Sequence, residues 1–294
     1  MNKRVKFRQL LKQERLIVAP GAYDALSAKI IEKAGFDTIY ITGFGVSASL
    51  LGTPDIGLLT MNELVTHVKN IDNATSLPII TDAESGFGNA INTMRTVREF
   101  EKAGAVAIHI EDQVLPRKYE PSAGVQVVPI EEQVKKIEAA VQAREDQDFL
   151  IIARTDARNK YGLKEAIKRG DAYAEAGAEV IFVHGPQSVE ELRIIAKEVK
   201  APNIVNYASM IESGNKPILS VGQLQEIGFK IVIFPSTLLF TAAESMQKIL
   251  RILKKEGTIE CALKNLISLK DFNGITKLSQ FRKWEERYLP QRRG

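Results

Sequence analysis

Eight short runs of apolar, mostly β-branched residues recur along the chain: LIVA (16–19), DTIYI (37–41), PIIT (78–81), VAIHI (106–110), FLIIA (149–153), EVIFV (179–183), PNIVN (202–206) and KIVIF (230–234). Their near-continuous apolarity predicts strands buried on both faces, as in a parallel sheet. Between them the apolar positions take a helical period over 24–34, 61–73, 93–103, 130–143, 163–176, 189–199, 221–227 and 238–255. Four joints read alike: EKAGFDTIYI, EKAGAVAIHI, AEAGAEVIFV and QEIGFKIVIF. In each, a glycine stops the helix and a strand follows at once, an internal repeat of the helix-to-strand connection. Eight such units in about 250 residues predict an α/β fold, a (β/α)8 TIM barrel. A doubly wound open sheet is the structural alternative, but no GxGxxG follows the first strand. Residues 1–256 are read as the barrel catalytic domain. Residues 257–294 are read as a C-terminal helical extension packed on the barrel or on a neighbouring subunit.

Composition narrows the class. The chain has 294 residues, 45% of them hydrophobic and 26% charged, which excludes disorder as a description of the whole. No apolar run approaches the ~20 residues of a membrane span. The N-terminal stretch is basic, but residues 12–15 interrupt any apolar segment, so a secretory signal is not expected and the cytoplasm is. Cys261 is the sole cysteine, which excludes an intrachain disulfide and a cysteine-based zinc site. The net charge is +4, and residues 247–294 hold 12 Lys/Arg against 5 Asp/Glu. Those basic residues interleave with Ile249, Leu250 and Leu253 at helical spacing. That predicts a solvated helix face rather than a nucleic-acid site.

In such a barrel the chemistry sits at the C-terminal strand ends. There the chain carries Tyr40, Thr42 and Gly43; Asp82 and Glu84; Glu111 and Asp112; Arg154; His184; and Asn206. Asp82 and Glu84 are two apart and are expected to face the same way. Four carboxylates at neighbouring strand ends repel one another unless a cation sits among them. An all-oxygen donor set favours Mg2+, with Mn2+ possible. Helix caps and loop-start ion pairs are the structural alternative. Arg154 can hold a carboxylate or phosphonate bidentately, or pair with the carboxylate cluster. His184 reads equally as a ligand contact, an acid/base or a structural histidine. His109 reads as core, and His67 as lying on a helix face without a nameable partner. Residues 43–57 read as a long loop of small residues whose amides can approach an anion, with Asp55 in it. Residues 113–128 read as a candidate lid.

The segments PGAYDALSAKIIEKAGF, YITGFGVSAS, PDIGLLT, TDAESGFGN, IHIEDQVLP, IIARTDAR and IFPSTLLF resemble motifs of the isocitrate lyase/phosphoenolpyruvate mutase superfamily, in order and over roughly residues 14–250. The resemblance implies a Mg2+-dependent barrel enzyme that makes or breaks C–C or P–C bonds beside a pyruvate unit. It implies a homo-oligomer, tetramer or dimer, in which a C-terminal helix is exchanged between subunits. It assigns Tyr40, Thr42, Gly43 and Phe44 to the substrate carboxylate, Asp55 to the reacting centre, and Asp82, Glu84 and Glu111 to the metal. Arg154 and Asn206 match substrate contacts, and Arg154 counts among the catalytic residues as well. His184 resembles the residue of P–C-bond members and some decarboxylases, so it counts as both catalytic and substrate-binding.

The lid departs from the family. Methylisocitrate-type lyases carry K-[KR]-C-G-H there and the phosphonate branch K-x-N-S, whereas this chain has Arg117-Lys118-Tyr119-Glu120-Pro121. Tyr119 takes the cysteine position and is the candidate acid. The expected function is an Mg2+-dependent lyase. It cleaves a C–C bond in a methylisocitrate-, dimethylmalate- or oxaloacetate-like acid through a metal-stabilised enolpyruvate. The alternatives are a P–C-bond mutase or phosphonopyruvate hydrolase, and a catalytically silent metabolite binder.

Overall fold

Each of the eight apolar runs forms a strand: β1 Ile17–Ala22, β2 Ile39–Ile41, β3 Ile79–Asp82, β4 Ala107–Glu111, β5 Leu150–Thr155, β6 Val180–Val183, β7 Ile204–Asn206 and β8 Ile231–Phe234. The structure, a computed structural model, describes residues 2–115, 125–207 and 219–290. All strand pairs are parallel, in the order β6-β5-β4-β3-β2-β1-β8-β7. A bridge between Ile181 and Asn203 joins β6 to β7, where the Ile181 N–H donates to the Pro202 carbonyl at 2.9 Å. The (β/α)8 barrel expected from the repeat is therefore present, and closure removes the sheet edges. The predicted helices flank it, from Ala25–Lys33 through Val221–Ile227 to Thr237–Glu256. Beyond them lie Leu269–Ile275 and Leu278–Tyr288, the extra C-terminal helices. No helix among the described residues is long and apolar enough to cross a membrane.

The four repeated joints close as expected. Gly35, Gly104, Gly177 and Gly228 follow their helices with φ of +88°, +99°, +103° and +111°, a region L-residues avoid. Gly21 answers a different need. A Cβ there would lie 2.1 Å from the Pro235 carbonyl oxygen, so only glycine lets β1 and β8 converge at the top of the barrel.

Alternation along the strands sorts the interior. Leu150, Ile152 and Arg154 on β5, and Ala107, His109 and Glu111 on β4, lie two apart and share one face. The lower positions are apolar and form an inner cluster with Ile17, Tyr40, Phe182, Ile204 and Ile231. The upper positions are polar. An N-terminal helix, Lys3–Lys12, was not anticipated from the strand pattern. Its Phe7 and Leu10 join the inner cluster. Arg4 Nε donates to the Ala105 carbonyl at 3.3 Å and Lys3 Nζ to the Thr75 carbonyl at 2.8 Å, both just ahead of strands. The helix thus closes the end opposite the polar one.

Residues 43–57 do not form the open loop expected. They fold into a helical turn, Gly43–Val46, continuing as a π-helix, Ser47–Leu51. Small side chains permit that tight coil, and amides from Val46 onward are used within it: Val46 N–H donates to Thr42 O at 3.0 Å and Gly52 N–H to Ala48 O at 3.2 Å. π-turns of this kind concentrate at functional sites.

Phe7 is fully buried at the closed end. Phe7→Ala is expected to cost about 3–5 kcal/mol of unfolding free energy. Urea denaturation followed by circular dichroism checks this; a loss under 1 kcal/mol would show that the helix does not plug the barrel.

Candidate active site

The polar end of the barrel opens into a cavity of about 230 Å³ lined by Tyr40, Thr42, Phe44, Asp55, Asp82, Arg154, Phe182, His184, Asn206, Pro235 and Ser236. Eight of the residues singled out from the sequence are therefore gathered around one space. Gly43, Glu84 and Glu111 lie at its floor rather than in its lining. Tyr119 lies outside the described residues.

The floor is built from strand ends. Asp82 ends β3, and its carboxylate accepts the Glu84 N–H at 2.8 Å and the Gly43 N–H at 3.3 Å. Glu84 does not continue the strand. Its φ of +52° turns the chain over, so the two carboxylates do not share a face by strand alternation as expected. They still converge. A Cβ at Gly43 would lie 2.5 Å from Glu84 Oε1 and 3.0 Å from Asp82 Oδ2, so glycine is what leaves the point between them open. Asp82, Glu84 and Glu111 are 4%, 3% and 0% exposed.

Asp112 does not belong to this cluster. Strand alternation turns it away from the interior where Glu111 turns in. Its carboxylate accepts the Thr155 hydroxyl at 2.8 Å, the Tyr173 hydroxyl at 2.8 Å, the Asp156 N–H at 2.9 Å and Arg169 Nη1 at 3.2 Å.

Arg154 satisfies both of its readings. It lines the cavity, and it pairs with the carboxylates. Nε and Nη2 donate to Asp156 at 3.0 and 2.9 Å, and Nη1 lies 3.3 Å from Glu111 Oε2. Its guanidinium is also 5.4 Å from the Phe182 ring centroid. Burial disfavours its charge, but Asp156, Glu111 and Asp82 outweigh that and hold its pKa well above the ordinary value. His184 Nδ1 is 2.8 Å from Asp156 Oδ1, and its ring packs edge-on to Phe182. Burial works against the Asp156 carboxylate, yet Arg154 and His184 carry its pKa far below the usual range. Asp156 is the functional residue that sequence reasoning passed over. Its only signal was its place two residues beyond Arg154 at the same strand end.

His109 is core, as expected, but not inert. Its Nε2 is 2.5 Å from the Tyr40 hydroxyl, and Nδ1 is 3.7 Å from Asp82 Oδ1. Burial lowers its pKa to about 4, so the ring is neutral at pH 7. Burial, reinforced by Asp82, raises that of Tyr40 well above 10. His67 has a partner after all: Nε2 lies 2.8 Å from the Tyr23 carbonyl oxygen.

The donor set fits a hard divalent cation. Its atoms are carboxylate oxygens, buried, with negative charge in excess of the Arg154 charge they share. Among the described residues no three Asp, Glu, His or Cys side chains form a complete metal-binding group. A Mg2+-sized ion does not need one, because it keeps several waters and takes one or two carboxylates plus substrate oxygens.

Residues 7–254 match the family model described as phosphoenolpyruvate phosphomutase. The chain is 43% identical to 2,3-dimethylmalate lyase of Eubacterium barkeri, over 99% of this chain and 100% of that one. A crystal structure of 2,3-dimethylmalate lyase superposes with a TM-score of 0.90 at 33% identity, covering 99% of this chain and 97% of that chain. Phosphonopyruvate hydrolase in complex with oxalate and Mg2+ superposes with a TM-score of 0.90 at 32% identity, covering 99% and 100%.

Arg154→Lys keeps the charge but loses the planar fork that reaches Asp156 and the cavity together. Binding of a small dicarboxylate probe is expected to weaken roughly 10- to 100-fold, the worth of a charge-assisted hydrogen bond. Titration calorimetry measures it, and an unchanged affinity would remove Arg154 from anion capture.

Proposed function

The chain belongs to the phosphoenolpyruvate mutase/isocitrate lyase superfamily, and from that membership we propose that it cleaves a C–C bond of a small 2-hydroxy or 2-oxo diacid and releases pyruvate: the C2–C3 bond of a 2-hydroxy acid, or the C3–C4 bond of a 2-oxo acid. A 2,3-dimethylmalate-like acid is the favoured substrate. The observation that carries the reading is the placement of Arg154, with Asp156 and His184 behind it, in the wall of a cavity sized for a small acid and floored by buried carboxylates. Identity to the dimethylmalate lyase over the full length of both chains supports the same class.

Asp82, Glu84 and Glu111 would hold the cation, Mg2+ or Mn2+. When bound, it supplies Lewis-acid stabilisation of negative charge on the substrate oxygens. Arg154 and Thr42 orient the carboxylate next to the reacting carbon, so that the bond to be broken is presented in one geometry. Asn206 and His184 face the same cavity and bind the distal carboxylate. With a 2-hydroxy acid, Asp55 accepts the C2 hydroxyl proton. The C2–C3 bond then breaks as the C2 carbonyl of pyruvate forms, and the electron pair passes to C3. Tyr119 quenches C3 with a proton. With a 2-oxo diacid the C3–C4 bond breaks instead, the C4 carboxylate leaves as CO2, and the electron pair stays on C3 as the enolate of pyruvate, which takes the same proton. Phe44, Phe182 and Pro235 supply an apolar wall that keeps water from competing for the carbanion.

The proposal extends to assembly and location. Residues 1–256 act as the catalytic barrel and 257–294 as its helical extension. No residue of Thr237–Glu256 is buried, and its Phe240, Met246, Leu250 and Leu253 are exposed. An apolar face of that size supports a homo-oligomer with the helix docked on a neighbouring subunit. The one cysteine, Cys261, fits a reducing cytoplasm.

Pyruvate release is to be measured from 2,3-dimethylmalate, 2-methylisocitrate, oxaloacetate and phosphonopyruvate, with Mg2+ and with EDTA. Metal-dependent release from a carbon acid is expected, with 2,3-dimethylmalate turned over fastest. Release from phosphonopyruvate alone would replace this reading with P–C hydrolysis. Tyr119→Phe is expected to lower kcat by roughly 100-fold, the lower range for losing a general acid. Unaltered kinetics would remove the tyrosine from the mechanism.

A further inference from the structure

Behind the cavity, on the outer side of the strands, a second buried cluster joins four parts of the fold. Asp112, just past β4, is 0% exposed and is not among the residues that line the cavity. Its carboxylate takes the Asp156 N–H at 2.9 Å on one oxygen. The other oxygen takes the Thr155 hydroxyl, the Tyr173 hydroxyl and Arg169 Nη1, at 2.8, 2.8 and 3.2 Å. Tyr173 and Arg169 come from the helix Leu163–Glu175. Arg169 Nη1 also donates to the Val128 carbonyl at 2.9 Å, and the Val128 N–H donates to the Asp112 carbonyl at 2.8 Å. Asp112 therefore grips Thr155 and Asp156, the two residues that follow Arg154, from the side away from the substrate.

Stability alone does not account for this arrangement. A buried ion pair recovers little beyond its desolvation cost, and apolar residues of similar volume serve packing as well. What an apolar residue cannot do is fix the 155–156 peptide by a directed acceptor. That peptide sets where the Asp156 carboxylate points, and the Asp156 carboxylate holds Arg154 through two bonds and His184 through one. A shift of about 1 Å at such groups is enough to cost roughly 100-fold in rate.

We propose that Asp112 is a positioning residue for the reaction: it sets the place of Arg154 and His184 by fixing the backbone and carboxylate of Asp156. The inference rests on the catalytic reading of Arg154 and His184, and its test has one arm that needs neither substrate nor metal. The chain has three histidines, so labelling with 15N-histidine gives one imidazole spectrum in which His184 is assigned by difference from His184→Gln. In metal-free protein, Asp112→Asn is expected to move the His184 ring resonances in the direction that Asp156→Asn moves them, with those of His67 unmoved.

In the kinetic arm, Asp112→Asn is expected to lower kcat for pyruvate release at least tenfold. The double variant Asp112→Asn/Asp156→Asn is expected to lie within threefold of Asp156→Asn alone, because both changes act through one carboxylate. A merely structural Asp112 predicts losses that multiply. If Asp112→Asn does not fold, Tyr173→Phe takes its place; it removes one donor to Asp112 and is expected to give the same shift and the same non-additivity at three- to tenfold in kcat. An unmoved His184 resonance in the folded variant, or multiplied losses in the double variant, overturns the proposal. A chain that releases no pyruvate from any acid overturns the lyase reading instead, and the spectral arm then decides this one by itself.

Discussion

Buried negative charge at one end of a closed barrel is the constraint around which the molecule is organised. Asp82, Glu84 and Glu111 are almost wholly removed from water, and Asp156 lies beside them. Carboxylates in that position cost several kcal/mol each unless opposite charge and hydrogen bonds answer them. The answers come from different sources: the Gly43 and Glu84 amides on Asp82, the Arg154 guanidinium between Glu111 and Asp156, and, in the proposed function, a divalent cation. The same concentration of charge that is expensive for folding supplies the electrostatics of catalysis, already oriented before substrate arrives.

The barrel makes that concentration possible by separating its two ends. Apolar side chains fill the lower interior, and the Lys3–Lys12 helix closes the bottom through Phe7 and Leu10. Water is kept from the middle of the barrel, so hydrogen bonds between the layers hold one geometry. His109 shows the coupling. It lies in the core, yet it links the Tyr40 hydroxyl to the neighbourhood of Asp82, both of them in the cavity lining. Outside the strands, the Asp112 cluster supports the same end from the opposite face. The cavity walls are therefore held from below and from behind, and one arginine fork both pairs with the buried carboxylates and lines the cavity.

Much of this was legible because the relevant signals are local. A parallel strand buried on both faces leaves an apolar run, and a helix ended by glycine leaves its own mark, so eight units could be counted before any contact was known. Polar residues at or just after the ends of those runs marked the strand ends, and Tyr40, Thr42, Asp82, Arg154, His184 and Asn206 now line one cavity. What escaped were features decided by direction or by distant partners. Residues 43–57 looked like a loop because small residues suit loops and tight coils alike. Asp112 was grouped with Glu111 because adjacency in sequence hides the fact that strand neighbours face opposite ways. Asp156 carries no local sign of importance beyond its place two residues after Arg154. Its role exists only because β5 and β6 bring Arg154 and His184 to either side of it.

The sequence by itself determined the periods, the caps and the inventory of charge, because these depend on a residue and its near neighbours along the chain. It therefore determined the barrel, the end at which chemistry gathers and the oxygen-only character of the donors. Tertiary structure alone decided which carboxylates converge, which turn away, and how one arginine is shared among them. It also decided that the eighth helix, Thr237–Glu256, buries none of its residues on its own barrel. Those outcomes depend on strand register, on a left-handed turn at Glu84 and on the close approach at Gly43, and each is a relation between segments that no stretch of sequence contains.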